Sequence, residues 1–129
     1  MISFSPKHEF VVKLADPGLS IDYNVNDVPW IPLEDYGNLN DSRNNPKADI
    51  WAYATTLWQI FSRGTSPLDV LHSHADMMNY FRSGNRLGKT IECHELPAIY
   101  NLMLLGWDFD PDKRPLTQII CSILVDMSK

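Results

Sequence analysis

Apolar residues crowd together along one stretch of the chain. Ala48, Ile50, Trp51, Ala52, Tyr53, Ala54, Leu57, Trp58, Ile60 and Phe61 leave no continuous polar face. The limits of this run are marked. Asn45 can offer a side-chain oxygen to the free amides of a first helical turn. Pro46 suits the first helical position, where its missing N–H is no loss. Gly64 lets the chain leave through a left-handed residue. The pattern predicts a helix over 46–63. A helix that is apolar all round is expected to be buried on all sides. This one is too short, and too interrupted by Lys47, Asp49 and Gln59, to span a bilayer. Asp49 is then the odd residue inside. It reads either as a first-turn carboxylate favoured by the helix dipole or as a buried carboxylate receiving backbone N–H bonds from a neighbouring loop.

The rest of the chain arranges itself around that helix. Ile2 to Phe4 are apolar, Ser5-Pro6-Lys7-His8 reads as a turn, and Phe10 to Leu14 is rich in β-branched residues, which together suggest a small hairpin. A lone hairpin is not stable in water, so it must lie on a helical body. Leu19 to Leu33 shows no helical period and reads as an extended loop. Leu68, Val70, Leu71, Ala75, Met77, Met78, Tyr80 and Phe81 predict a helix over 69–82, ended by Ser83-Gly84. Leu96, Ile99, Leu102, Met103, Leu105 and Gly106 recur at the three-four spacing of a buried helix over 95–107, with Pro97 tolerated in its first turn. A last amphipathic helix over 115–127 is expected to turn Ile119, Ile120, Ile123 and Leu124 inward, with Cys121 a small core residue. The class expected is mainly α with one small β-hairpin.

Composition narrows the function. The chain's 129 residues suggest one domain with a real core. A net charge of −5 argues against nucleic-acid binding driven by phosphate neutralisation. Two cysteines, Cys93 and Cys121, make no disulfide framework, and a reducing compartment is the simpler reading. His72 and His74 point to different faces of a helix, and Cys93-His94 alone is not a metal motif. The opening residues lack the basic start and apolar run of a signal peptide, and no stretch reads as a transmembrane segment.

Short motifs carry the chemistry. The second strand runs into Asp16-Pro17-Gly18, which reads as a plain turn or as a carboxylate presented to a metal and phosphates. Val12 to Leu19 resembles the Asp-Phe-Gly segment of protein kinases, in which the Asp holds magnesium. Pro17 replaces the Phe and cannot supply the ring that packs differently in active and inactive states. Val28-Pro29-Trp30-Ile31-Pro32-Leu33-Glu34 resembles the Trp-Met-Ala-Pro-Glu end of a tyrosine-kinase activation segment, with Pro32-Leu33 in place of Ala-Pro. Asp16 to Glu34 spans only 19 residues, short for a regulated activation loop, and Tyr23 is its one tyrosine, a candidate phosphosite. Asp49-Ile50-Trp51-Ala52-Tyr53-Ala54 is similar to the kinase Asp-x-Trp-Ser-x-Gly signature, with Ala52 and Ala54 where the family has Ser and Gly. Leu102-Met103-x-x-Gly106-Trp107-x-x-x-Pro111-x-x-Arg114-Pro115 completes the series, with Gly106 where tyrosine kinases usually have Cys.

In this order and spacing the motifs resemble the lower part of a tyrosine-kinase C-lobe over nearly the whole chain, residues 1–129 forming a partial domain. The resemblance implies an ion pair between Glu34 and Arg114, and structural roles for Asp49 and Trp51. Asp-Pro-Gly, Pro29-Trp30-Ile31, Thr55-Thr56-Leu57-Trp58 and Pro67-Leu68 together look like the pseudokinase domain of a Janus kinase. That likeness implies a regulatory segment that restrains an adjacent kinase domain in cytokine-receptor signalling. It implies a cytoplasmic protein brought to the inner face of the plasma membrane through a receptor, with receptor tails as indirect partners and no nucleic acid.

The sequence holds no Gly-rich loop and no His-Arg-Asp-like segment, both needed for phosphoryl transfer. The chain is therefore expected to be a fragment lacking the N-lobe and catalytic loop, inactive alone and without a cofactor. Asp16 is the one candidate for magnesium, and Mg-ATP belongs to the complete parent domain. The alternative is a C-lobe fragment of a catalytically active protein tyrosine kinase. Helices that the missing half would cover are expected to leave residues such as Trp51 or Trp58 partly open, making the isolated chain marginally stable.

Overall fold

A computed structural model describes residues 2–4, 10–12, 25–38, 44–71 and 74–129. Strands β1 (Ile2–Phe4) and β2 (Phe10–Val12) pair antiparallel, with Ile2 opposite Val12 and Phe4 opposite Phe10. The remaining described residues are mostly helical and pack around helix α1 (Pro46–Phe61). Asn45 caps α1 through its Oδ1, which accepts from the Lys47 amide at 3.0 Å, and Pro46 occupies the first position. At the far end Arg63 and Gly64 both take left-handed conformations, and the Gly64 amide returns to the Gln59 carbonyl at 2.8 Å.

Burial of α1 departs from the expectation of an all-round core helix. Ala48, Ile50, Trp51, Ala54, Thr55, Leu57 and Trp58 are buried. Asp49, Tyr53, Thr56 and Ile60 are exposed. These four fall at spacings of four, three and four, so they form one stripe of the helix. Helix α5 and the 3₁₀ turns at Val25–Trp30 and Pro111–Lys113 cover the rest. Asp49 is therefore not an odd residue inside; it lies exposed in the first turn. Trp51 and Trp58 are not the open residues either, since both are buried. The apolar surface left open on this helix belongs to Tyr53 and Ile60.

Two expected helices are broken, one beside a proline and one where the chain packs between two cores. The 69–82 stretch is α2 (Pro67–Val70) and α3 (His74–Arg82). The first starts early because Ser66 Oγ accepts from the Leu68 amide and Pro67 sits at the first position. Leu71 then turns extended and packs against both hydrophobic clusters. The 95–107 stretch is α4 (Glu92–Glu95) and α5 (Pro97–Gly106), interrupted at Leu96. Leu96 precedes Pro97, whose ring disfavours helical backbone at the residue before it.

Helix α6 (Thr117–Met127) presents Ile120, Ile123, Leu124 and Met127 to the core, a three-one-three spacing along one face. Ile119 and Cys121 flank that face and are exposed, contrary to the inward placement expected for both. The larger core joins α1, α5 and α6 with Leu87 and Cys93. A second, smaller core holds Val28, Ile31, Tyr36, Met77 and Phe81 between the 25–36 segment and α3.

Gly106 sets the approach of α5 to α1. A Cβ there would stand 2.8 Å from the Ala54 Cβ and 3.2 Å from the Ile50 carbonyl oxygen. Two of the residues that depart from the kinase pattern, Ala54 for Gly and Gly106 for Cys, therefore face each other. A methyl added on one helix is matched by a Cβ removed from the other.

Candidate functional site

The segment 25–36 is clamped onto the helical body by two buried polar assemblies. The first is built on Arg114, whose side chain is fully buried. Its Nη1 and Nη2 donate to Glu34 Oε1 at 2.7 Å and Oε2 at 2.8 Å, a two-pronged guanidinium–carboxylate contact. Nη1 also donates to the Lys47 carbonyl, and Nε to the Asp108 carbonyl. Asn45 Nδ2 donates to Glu34 Oε1 and to Asp35 Oδ2, so the residue that caps α1 also holds the turn at Leu33–Asp35. Burial raises the Glu34 pKa, but the Arg114 hydrogen bond and charge, with a bond from Asn45, leave it below the ordinary glutamate value.

The second assembly converges on the Pro29 carbonyl. Trp51 Nε1 donates to it at 3.1 Å and Thr55 Oγ1 at 2.6 Å. Thr55 Oγ1 in turn accepts from Trp107 Nε1 at 2.9 Å. Each of these groups is buried, so each bond avoids a desolvation penalty. The Trp51 ring also carries two cations, with the Arg86 guanidinium carbon 4.9 Å and the Arg114 carbon 5.2 Å from its centre.

The structure thus brings Glu34 and Arg114 together and places Trp51 between them and Pro29. Thr55 and Trp107 stood in the sequence only as members of motifs and Asn45 only as a helix cap, and the bonds they make here were not read from it. Thr55, of the Thr55-Thr56 pair within an otherwise apolar helix run, was the available signal, because a buried hydroxyl needs a partner. Asp49 receives no hydrogen bond among the described residues. It lines an apolar groove between α1 and α6 with Ile50, Tyr53, Thr117, Ile120, Cys121 and Leu124. Asp16 and Tyr23 lie outside the described residues. Among the described residues no group of three His, Cys, Asp or Glu side chains could hold a metal ion, and no helix is long and apolar enough to cross a membrane.

A central helix bearing Asp-x-Trp, a clamped activation-like segment end, and a buried Arg paired to its Glu define a kinase-type C-lobe fragment. Residues 6–124 match the protein tyrosine and serine/threonine kinase family, and the chain belongs to that family. It is 36% identical over 103 residues to tyrosine-protein kinase hopscotch of Drosophila melanogaster, a match covering 79% of this chain and 9% of that protein. It is 39% identical over 88 residues to tyrosine-protein kinase receptor TYRO3 of Rattus norvegicus, covering 68% and 9%. It is 31% identical over 124 residues to fibroblast growth factor receptor homolog 1 of Drosophila melanogaster, covering 87% and 16%. The chain therefore spans a small fraction of the length of these relatives.

Proposed function

We propose that the chain is the C-lobe end of a regulatory pseudokinase domain of Janus type, which restrains an adjacent kinase domain until cytokine receptors bring two molecules together. The observation that carries this reading is Pro17 in Asp16-Pro17-Gly18. An active kinase must switch the segment after its magnesium Asp between arrangements. Proline fixes φ near −65° and removes an N–H, so an Asp-Pro-Gly stretch should switch less readily than Asp-Phe-Gly. The far end of the same segment supports the reading, because Glu34 is paired to the buried Arg114 and the Pro29 carbonyl is held by a buried bond. A surface held in one state suits docking on a neighbour better than turnover. Such a protein works in the cytoplasm, at the inner face of the plasma membrane through its receptor. The role requires that the docked state be favoured by differential contacts that a signal can release.

The test is autophosphorylation of the full-length parent in cells without ligand. Loosening this segment with Trp51→Ala should change basal activity without touching any catalytic residue. If basal and stimulated activity both stay at the level of the unaltered parent, the regulatory reading fails.

A second reading is favoured by the relatives, whose names are those of tyrosine kinases and receptor tyrosine kinases. On it the chain is part of an active enzyme and Asp16 remains a magnesium ligand. One carboxylate is a poor magnesium site without substrate phosphates and further ligands. We expect this chain alone to bind Mg-ATP weakly or not at all by calorimetry. Micromolar binding would favour the second reading.

A further inference from the structure

One hydroxyl in the second core has no structural use. Tyr36 packs with Val28, Ile31, Met77 and Phe81 and is only 7% exposed. Its Oη is buried and has no hydrogen-bond partner among the described residues. Phenylalanine would fill the same space without a desolvated oxygen, so packing does not account for the group. Burial also pushes the phenol pKa well above its ordinary value.

The turn that carries Tyr36 is slight. It consists of the single 3₁₀ turn Leu33–Asp35, closed by the Asp35 amide on the Pro32 carbonyl and the Tyr36 amide on the Leu33 carbonyl. Gly37 follows, exposed and with open space around the position of a Cβ. Rotation of the backbone there releases the Tyr36 ring while Glu34 stays held by Arg114. The Arg82 guanidinium carbon lies 5.2 Å from the centre of the ring, on an exposed side chain that makes no ion pair among the described residues.

We propose that Tyr36 is a phosphoacceptor, hidden in the packed state, whose modification by a tyrosine kinase holds the 25–36 segment off α3. In the opened state the phenol oxygen attacks the γ-phosphorus of a nucleoside triphosphate held by that kinase. The bond to the diphosphate leaving group breaks, and the phenol proton passes to the kinase's base. The product carries nearly two negative charges. It cannot return among Val28, Ile31, Met77 and Phe81, because burying an unpaired charge there is prohibitive. Arg82 supplies a cation to hold the phosphate outside. The proposal does not depend on whether the parent is itself active.

The experiment incubates the full-length protein with a separate active tyrosine kinase domain and Mg-ATP, and maps phosphotyrosine by peptide mass spectrometry. Tyr36 should be labelled in the unaltered protein. Met77→Ala should raise its rate roughly tenfold or more, because loss of a core side chain makes opening that much more frequent. Arg82→Ala, at an exposed position that does not threaten folding, should raise the rate as well by uncovering the ring. Hydrogen exchange should then show α3 and residues 25–36 less protected in the phosphorylated protein. Labelling of the more exposed Tyr53 while Tyr36 stays unlabelled in the unaltered protein and in Arg82→Ala would overturn the proposal. So would labelled Tyr36 with unchanged exchange in those elements.

Discussion

The close approach of α1 and α5 at Ala54 and Gly106 makes a quantitative prediction. Gly106→Ala adds a methyl whose carbon would sit 2.8 Å from the Ala54 Cβ and 3.2 Å from the Ile50 oxygen. Neither neighbour is a flexible side-chain end, so the helices must move apart. Overpacking of this kind costs about 1–3 kcal/mol. Helix propensity returns less than about 1 kcal/mol, since Gly106 is the last residue of α5. The net loss should be about 1–2 kcal/mol. Ala54→Gly alone should lose about 1 kcal/mol of propensity in mid-helix and about 0.8 kcal/mol for the buried methyl. In the double variant the methyl has moved from one helix to the other. It should be about as stable as Ala54→Gly alone, giving a coupling of about 1–2 kcal/mol. Urea unfolding of the four proteins, followed by tryptophan fluorescence, reads this directly. Strict additivity within about 0.5 kcal/mol would refute the reasoning, since only independent sites add.

Glu34→Ala strands the fully buried Arg114 guanidinium and should destabilise by about 3 kcal/mol, the low end for a broken buried pair because the Glu34 side chain keeps 26% exposure; an unchanged urea midpoint would refute it. Because the Glu34 pKa is lowered on folding, its contribution is present above the unfolded value of 4.5 and is lost as pH falls through the folded value. The unaltered protein should therefore lose more stability than Glu34→Ala on acidification below about pH 4.5, measured by melting at stepped pH. Thr55→Val leaves the Trp107 indole N–H without its acceptor in a buried site and should cost about 1–3 kcal/mol by denaturant unfolding. Tyr36→Phe should stabilise by about 1 kcal/mol, since it removes a buried hydroxyl that has no partner among the described residues, and a loss of stability would mean the oxygen has a partner.

Much of the frame was legible along the chain. The limits of α1 could be read because Asn45, Pro46 and Gly64 act through their own backbone and nearest neighbours, and such local effects travel with the residue. The kinase likeness was legible because its motifs are spaced landmarks, and spacing is a property of sequence. Helix breaks were less so. The interruption at Leu96 follows from Pro97 and was available in principle; the one at Leu71 follows from packing between two cores and was not.

The sequence by itself determined roughly where helical structure falls, where α1 is capped, and that a Glu and an Arg eighty positions apart belong to one family pattern. Those are statements about local propensity and order. Tertiary structure decided which face of each helix meets another. An apolar helix has no way to mark one apolar face as covered and another as open, so the exposure of Tyr53 and Ile60 beside buried Trp51 and Trp58 depends on where α5 and the 25–36 segment lie. The same holds for polar groups. Thr55 and Tyr36 both carry a buried hydroxyl, yet one sits between the Pro29 carbonyl and the Trp107 indole and the other faces no partner among the described residues. Hydrogen bonds act over a few ångströms, and only the folded chain sets those distances.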